Sequence, residues 1–440
     1  MTPDRIVIVN DASRAVGGAT SLALLSARLF AESGHEVVYV TGDSGAAHEL
    51  PADVEIVALG GTPLLSLPFA ERIGKGLYNK AAYDFVRQVV RKFDGPNVVY
   101  HLHGWAQILS PSVLRALSRV EGRLVIHAHD FFHACPNGTY FNFRQESVCS
   151  LKPMSLACMS SNCDKRSISQ KAFRLTRMVV KRHLLDLGTT DALVAVIHPF
   201  MSEWMQKAGI AQERIRVVRN PVKAFRTTRV EAEQNSDLFF IGRVEPEKGA
   251  ELAAEAAHRA GRQLRIIGDG SDRPRLAEKF PDIVWEGWCS HAQIAELVRS
   301  ARGLIMPSRL PEPFGLVALE ALQSGVPLVA FADSFVAREA TEMGCAFLAA
   351  DRQAGSLAKA VQMLDDDATV KRASHTAFES TMALSCTHEG WRDELLSLYD
   401  ELLRTVRSKG VNRGCARDGI ANSSISPRGC IEPVSHGQTC

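Results

Sequence analysis

Short apolar, β-rich runs alternate with segments of helical period along this chain, and the alternation occurs twice. RIVIVN, starting at Arg5, leads through a glycine-containing loop into TSLALLSARLFAESGHEV, whose apolar spacing is helical and which Gly34 stops. VVYVT, VEIVAL, NVVYHLHG and RLVIHAHD read as further strands, and DALVAVIHPFMSEWMQKAGI with RIRVVRNPV as a late strand, helix and closing strand. TTRVEAEQNSD, residues 227–237, reads as a linker, after which LFFIGRVEPEKG, QLRIIGDG, DIVWEGW, RGLIMPS and VPLVAF repeat the pattern. Strands joined through helices pair in parallel, and a parallel sheet needs cover on both faces. The expected fold class is therefore α/β, with two Rossmann-like domains facing across a cleft.

The domains expected are 1–222, with a cysteine-containing insertion at 135–165, and 236–385. A helix at 386–408 follows, with apolar positions 395, 396, 399, 402 and 403; residues 409–440 lack periodicity and read as a disordered tail. A chain of 440 residues is too long for one ordinary core. Its net charge of +2 gives no overall pull toward nucleic acid. The apolar run Ile6 to Val9 is too short for a signal-peptide core, and no 18-residue apolar stretch suggests a membrane span. The expected location is the cytoplasm.

In open parallel sheets, ligands bind beyond the carboxyl ends of the strands, so the loops there carry the candidate chemistry. NDASRAVGGATS places Gly17 and Gly18 before a helix, either for close backbone approach to an anion or for a turn of positive φ. The G-x-G-x-x-G fingerprint is absent from this loop, which argues against a dehydrogenase. In FFIGRVEPEKG, Arg243 offers a fork of donors and Lys248 a point charge, a pair suited to a diphosphate; solvated surface cations are the alternative. Gly268 and Gly270 of RIIGDG allow either a ligand approach or a plain turn. In IMPSRLPEPFGLVALEALQSG, prolines hold Glu312 in an extended loop, and the first backbone N–H groups of the next helix lie near Phe314, Gly315 and Leu316. Glu312 is placed to accept sugar hydroxyls. Glu320 sits among apolar helix residues, and either meets solvent or binds vicinal ribose hydroxyls. His129 and Asp130 close an apolar strand, where cleft residues belong; a structural histidine is the competing reading.

Together these loops resemble glycosyltransferase family 4, the retaining sugar-nucleotide transferases of GT-B fold. The pieces that match are Gly17-Gly18 with SGHEVVYVTG, HAHDFFHACP, FFIGRVEPEKG, IIGDG and PSRLPEPFGLVALEALQSGVPLVA. Two spacings carry most of the specificity: Arg243 and Lys248 with four residues between them, and Glu312 and Glu320 with seven between them. The resemblance implies that Arg243 and Lys248 hold the donor diphosphate, Glu312 and the backbone at 314–316 the sugar and phosphate, and Glu320 the ribose. It further implies that Gly17 and Gly18 approach the diphosphate, that His129 faces the sugar, and that the helix at 386–408 crosses back to the first domain. The implied reaction moves a hexose-type unit from a nucleotide-diphosphate sugar to a glycan or lipid-linked acceptor, with retention and without a metal, in surface polysaccharide or lipopolysaccharide synthesis. A GT-B epimerase or hydrolase, and a non-catalytic sugar-nucleotide-binding subunit, are the alternatives.

Two features stand outside that scheme. Cys135, Cys149, Cys158 and Cys163 are separated by 13, 8 and 4 residues, without the neat pairs of many zinc sites. A structural zinc, reduced thiols and disulfides all remain open. The segment 165–187 carries Lys165, Arg166, Lys171, Arg174, Arg177, Lys181 and Arg182 among apolar residues. One basic and one apolar face suit an anionic inner-membrane surface or a charged acceptor, against a core helix with a solvated basic side.

Overall fold

The computed structural model describes residues 2–15, 17–47 and 49–421. The first half contains β1 (Arg5–Asn10), β2 (Glu36–Thr41), β3 (Glu55–Ala58), β4 (Val98–Leu102), β5 (Leu124–Ala128), β6 (Phe141–Asn142), β7 (Ser147–Val148), β8 (Leu193–Val196) and β9 (Ile215–Val217). The second contains β10 (Asp237–Ile241), β11 (Leu264–Ile267), β12 (Val284–Gly287), β13 (Ala301–Met306), β14 (Leu328–Phe331) and β15 (Ala346–Ala349). Seven strands form one parallel sheet in the order β3-β2-β1-β4-β5-β8-β9, and six form another in the order β12-β11-β10-β13-β14-β15. The chain thus has two Rossmann-like halves in the GT-B arrangement. The ribbon β6–β7 belongs to the cysteine-containing insertion.

The central strands are buried throughout because helices cover both faces: every residue of β4, β5 and β8 is buried, His101 and His127 included. Edge strand β3 has one covered neighbour only and leaves Glu55, Ile56 and Ala58 exposed. The final helix, His388–Ala421, packs onto the first half rather than the second. Trp391, Leu395, Tyr399 and Leu402 recur at helical spacing and share one core with Ile6, Ile8, Phe30 and Val99. The helix runs past the expected end at 408 to Ala421, so backbone expected in a disordered tail is helical there. Residues 422–440 of that expected tail lie outside the described residues. No helix of the described residues is long and apolar enough to cross a membrane.

The segment expected to be a linker is instead packed. Val230 and Ala232 are buried, Val230 N–H donates to Ser324 O, and Arg229 bonds both Glu233 and the Ser374 hydroxyl. Part of its polar composition serves contacts within the fold, while Thr227, Thr228, Glu231, Gln234 and Ser236 are exposed. Contacts also tie the halves together. Glu339 accepts from His198 at 2.9 Å and from Arg219 at 2.6 Å, and Arg309 meets Glu146 at 3.0 Å.

Candidate active site

Both sheets change winding direction at one place, between β1 and β4 in the first and between β10 and β13 in the second. At such a point the loops following two adjacent strands diverge and leave a crevice. The loop after β10 carries Arg243 and Lys248, the loop after β13 carries Glu312 and Phe314–Leu316, and the loop after β1 carries Gly17 and Gly18. Strand order thereby brings together segments far apart in the chain.

A cavity of about 290 Å³ lies between the halves. Gly18 and His129 line it from the first, and Lys248, Glu312, Phe314, Gly315 and Leu316 from the second. Lys248 Nζ donates to Glu312 Oε2 at 2.9 Å, with both side chains largely shielded. Gly315 holds φ +75°, and a Cβ there would come within 2.8 Å of Val336 Cγ1, so only glycine fits this helix start. Gly17 has extended backbone, φ 178°, so the positive-φ turn considered from sequence does not occur there. Gly18 instead faces the opposite half, its Cβ position 3.7 Å from Leu316 Cδ1.

Other expected residues lie outside this lining, Gly17 among them. Arg243 is exposed and outside the lining, though its charge is felt by Glu247, which Lys165 of the insertion holds in an ion pair. Gly268 and Gly270 do not line the cavity; they let their loop lie against 242–244. A Cβ on Gly268 would come within 2.0 Å of Gly242 O, and one on Gly270 within 2.3 Å of Val244 O. Close backbone packing is sufficient to require glycine at both positions. Glu320 also stands outside the cavity lining. It is not on a solvated helix face: its side chain is 21% exposed, His291 Nε2 lies 3.9 Å away, and burial pushes its carboxyl up to about 8.

His129 belongs to a group that sequence reasoning passed over. HLH ends β4, HAH ends β5, and period-two geometry puts His101, His103, His127 and His129 on one face of adjacent strands. His103 Nδ1 lies 2.9 Å from His129 Nε2, and His101 Nε2 lies 3.2 Å from His127 Nδ1. Tyr399 of the final helix reaches His101 Nδ1 at 2.6 Å. Burial holds all four imidazoles well below the usual histidine range, His129 at about 3, so they are neutral near pH 7. His101, His103 and His127 are the set of described residues close enough to share a metal ion, their nitrogens within 4.8 Å; both nitrogens of His101 are already hydrogen-bonded. The repeated His-x-His was the legible signal.

A second cavity, of about 400 Å³, opens on the other side of His129 and is lined by the first half. Asp130 reaches it and accepts from Phe132 N–H at 2.8 Å; burial raises its carboxyl to about 6. Asp11 lines it too, accepting N–H bonds from Gln107, Ile108 and Leu109. Burial raises its carboxyl, opposed by those bonds. Nothing in the sequence distinguished Asp11 from the loop around it.

The helix Ile168–Leu184 corrects two readings of its basic residues. Lys171 and Lys181 are buried, and Arg174 and Arg177 face the second cavity, while Ile168 and Val179 are exposed. Spacings of three and four residues put these cations on the inner face. Neither a membrane-facing basic stripe nor a solvated basic side describes them.

Cys135, Cys149, Cys158 and Cys163 are free. Cys135 Sγ donates to Asn137 Oδ1 at 3.0 Å, while the Lys171 ammonium lies 3.0 Å from Cys163 Sγ and 3.9 Å from Cys158 Sγ. The four sulfurs do not form a set close enough to share one ion, and a buried ammonium stands beside two of them. This arrangement fits a thiol–ammonium cluster and does not fit tetrahedral zinc.

Residues 16–224 match the model of Glycosyltransferase Family 4, and residues 223–379 match that of Glycosyl transferases group 1. Glycogen synthase of Mycobacterium tuberculosis (strain ATCC 25618 / H37Rv) is 27% identical over 268 residues, 58% of this chain and 63% of that protein, so the match spans under two thirds of its length. Sucrose-phosphate synthase from Thermosynechococcus elongatus superposes with a TM-score of 0.68 at 17% identity, covering 91% of this chain and all of that one. Anabaena HepE in complex with UDP gives 0.63 at 16% identity, covering 90% and 100%. The first family model covers the half that presents Gly18 and His129 and the second covers the half that presents Lys248 and Glu312, and the chain belongs to the family 4, group 1 glycosyltransferases.

Proposed function

We propose that the protein transfers a hexose-type sugar from a nucleotide-diphosphate sugar to a hydroxyl of a glycan or lipid-linked acceptor, with retention, in surface polysaccharide synthesis. The observation that carries this reading is the pair of cavities meeting at His129, one lined by both halves and one by the first half alone. The donor occupies the first and the acceptor the second. The UDP complex of the similar Anabaena protein agrees with a nucleotide donor.

In the reaction, the bond from the anomeric carbon to the diphosphate oxygen breaks and a bond from that carbon to the acceptor oxygen forms on the same face. The acceptor proton passes to the departing phosphate. Charge grows on that phosphate, and Lys248, with Arg243 drawn in from the rim, stabilises it. The reaction so written has no step that calls for a metal. Glu312 accepts from sugar hydroxyls once Lys248 turns to phosphate, and neutral His129 offers a hydrogen bond without adding charge. Glu320 binds the ribose from the helix Leu316–Leu322.

The test is a panel of UDP-, GDP- and ADP-sugars against a glycolipid extract, following nucleotide release and anomeric configuration. Acceptor-dependent release with a retained anomer supports the proposal. Equal release in water alone points to a hydrolase, and binding without turnover to a non-catalytic subunit.

A further inference from the structure

The second cavity is lined by four cations, Arg166, Arg174, Arg177 and Lys181, and by two acids, Asp11 and Asp130. Much of that charge is already committed. Arg174 pairs with Asp164 at 3.1 Å, a carboxylate with no exposure, and Asp11 is occupied by three backbone N–H groups. Arg177 and Lys181, one helical turn apart, form no ion pair among the described residues. Each donates only to a carbonyl, Arg177 Nη2 to Ala106 O at 2.7 Å and Lys181 Nζ to His133 O at 2.6 Å. Arg177 Nε is buried with no hydrogen-bond partner. The Trp105 ring covers one face of the guanidinium, its centroid 5.0 Å from Cζ, leaving the edge donors to act. Lys181 is 2% exposed, and burial lowers its ammonium to about 7.

Asp11 acts on Arg177 and Asp186 on Lys181 only through space, without a hydrogen bond. A buried cation with no counter-charge in contact is costly, and two on one cavity wall are more so. An anion between them reverses the sign of that contribution. Both groups lie on the helix Ile168–Leu184, and the cavity they line is also lined by His129 and Asp130. An acceptor could therefore be gripped at its charge and present a hydroxyl to the donor.

We infer that the second cavity binds an acceptor bearing an anionic group, phosphate or carboxylate, held by Arg177 and Lys181. The assignment of this cavity to the acceptor rests on the transferase reading above. The anion preference does not, since it can be measured by binding alone.

The experiment is calorimetric titration of the full chain, in the presence of a nucleoside diphosphate, with a hexose 6-phosphate, a hexuronate and the parent hexose. A phosphoglycolipid in detergent micelles forms a further arm, and tighter binding there than to the hexose 6-phosphate identifies a lipid headgroup as the source of the charge. At least one charged ligand is expected to bind tenfold or more tightly than the parent hexose. Arg177→Gln and Lys181→Gln each remove that preference, Lys181→Arg keeps it, and nucleoside-diphosphate affinity is unchanged in all three. Equal binding of the parent hexose and every charged ligand overturns the inference, as does a preference that survives Arg177→Gln. Failure of the transferase reading is seen separately, as a lack of nucleoside-diphosphate binding or donor turnover.

Discussion

Lys248 Nζ and Glu312 Oε2 are 2.9 Å apart, so two groups given separate ligands by sequence reasoning are each other's partner. The pair neutralises the donor cavity until a phosphate competes for the ammonium and a sugar hydroxyl for the carboxylate. Lys248→Ala is expected to lower kcat by about 10²–10³-fold, the scale of losing one charge-stabilising donor. Glu312→Ala loses sugar positioning and frees the lysine, so the two losses combine less than additively in a double-mutant cycle. Full transfer rates in both single variants would remove these residues from the site.

Asp130 sets a pH dependence that His129 does not. With its carboxyl raised to about 6 by burial, Asp130 becomes ionised and able to accept from an acceptor hydroxyl only as pH rises through that value. Acceptor kcat/KM is expected to fall about tenfold per unit below pH 6. Asp130→Asn abolishes this limb, and His129, neutral down to about 3, contributes none above pH 5. A limb that persists in the Asn variant assigns the ionisation to another group.

Glu320 carries a stability cost that grows with pH. Its carboxyl is raised from 4.5 to about 8, so the folded chain keeps a proton that the unfolded chain releases, and stability falls as pH rises between those values. Allowing for its partial exposure, Glu320→Gln is expected to recover on the order of 1–2 kcal/mol at pH 8.5 and little at pH 4.5. Denaturant melts at the two pH values measure the difference, and titration with nucleotide measures the accompanying loss of ribose binding. An equal effect at both pH values excludes a buried acid.

Glu339 is the opposite case. Burial would raise its carboxyl, but hydrogen bonds from His198 and Arg219 outweigh it and bring it down to about 2. Its stabilisation is present above about pH 4.5 and lost as pH falls toward 2. Glu339→Gln leaves the His198 and Arg219 side without its charge, at a cost of about 2–3 kcal/mol at pH 7 that shrinks at pH 3. Chevron or equilibrium melts that show no change at pH 7 would argue against a clamp between the halves.

The cysteine cluster predicts a metal content. Purified protein is expected to carry less than about a tenth of an equivalent of zinc, and to titrate as free thiols once unfolded. One equivalent of zinc, lost with a chelator, would mean that Lys171 leaves the cluster for the ion.

Much of the architecture was legible because parallel sheets leave a periodic signature. Apolar runs marked β4, β5 and β8, and the glycine and proline loops after β10 and β13 marked the crevice. The basic helix was legible in outline and wrong in direction. Its 171, 174, 177, 181 spacing defines a face, but a periodicity cannot say whether that face meets solvent or a cavity. Gly268 and Gly270 misled for a related reason, since close approach of backbone to backbone and of backbone to ligand call for the same residue.

What the sequence alone determined was local: strand, turn and helix from period and residue type, and through them two parallel sheets with candidate loops at their carboxyl ends. What only the tertiary structure decided was which buried charges meet. Lys248 finds Glu312 across 64 residues and Tyr399 finds His101 across 298, while Arg177 and Lys181 hydrogen-bond to carbonyls and to no carboxylate. Pairing energies in a shielded interior depend on distances that strand order sets, and strand order is not written in any one segment.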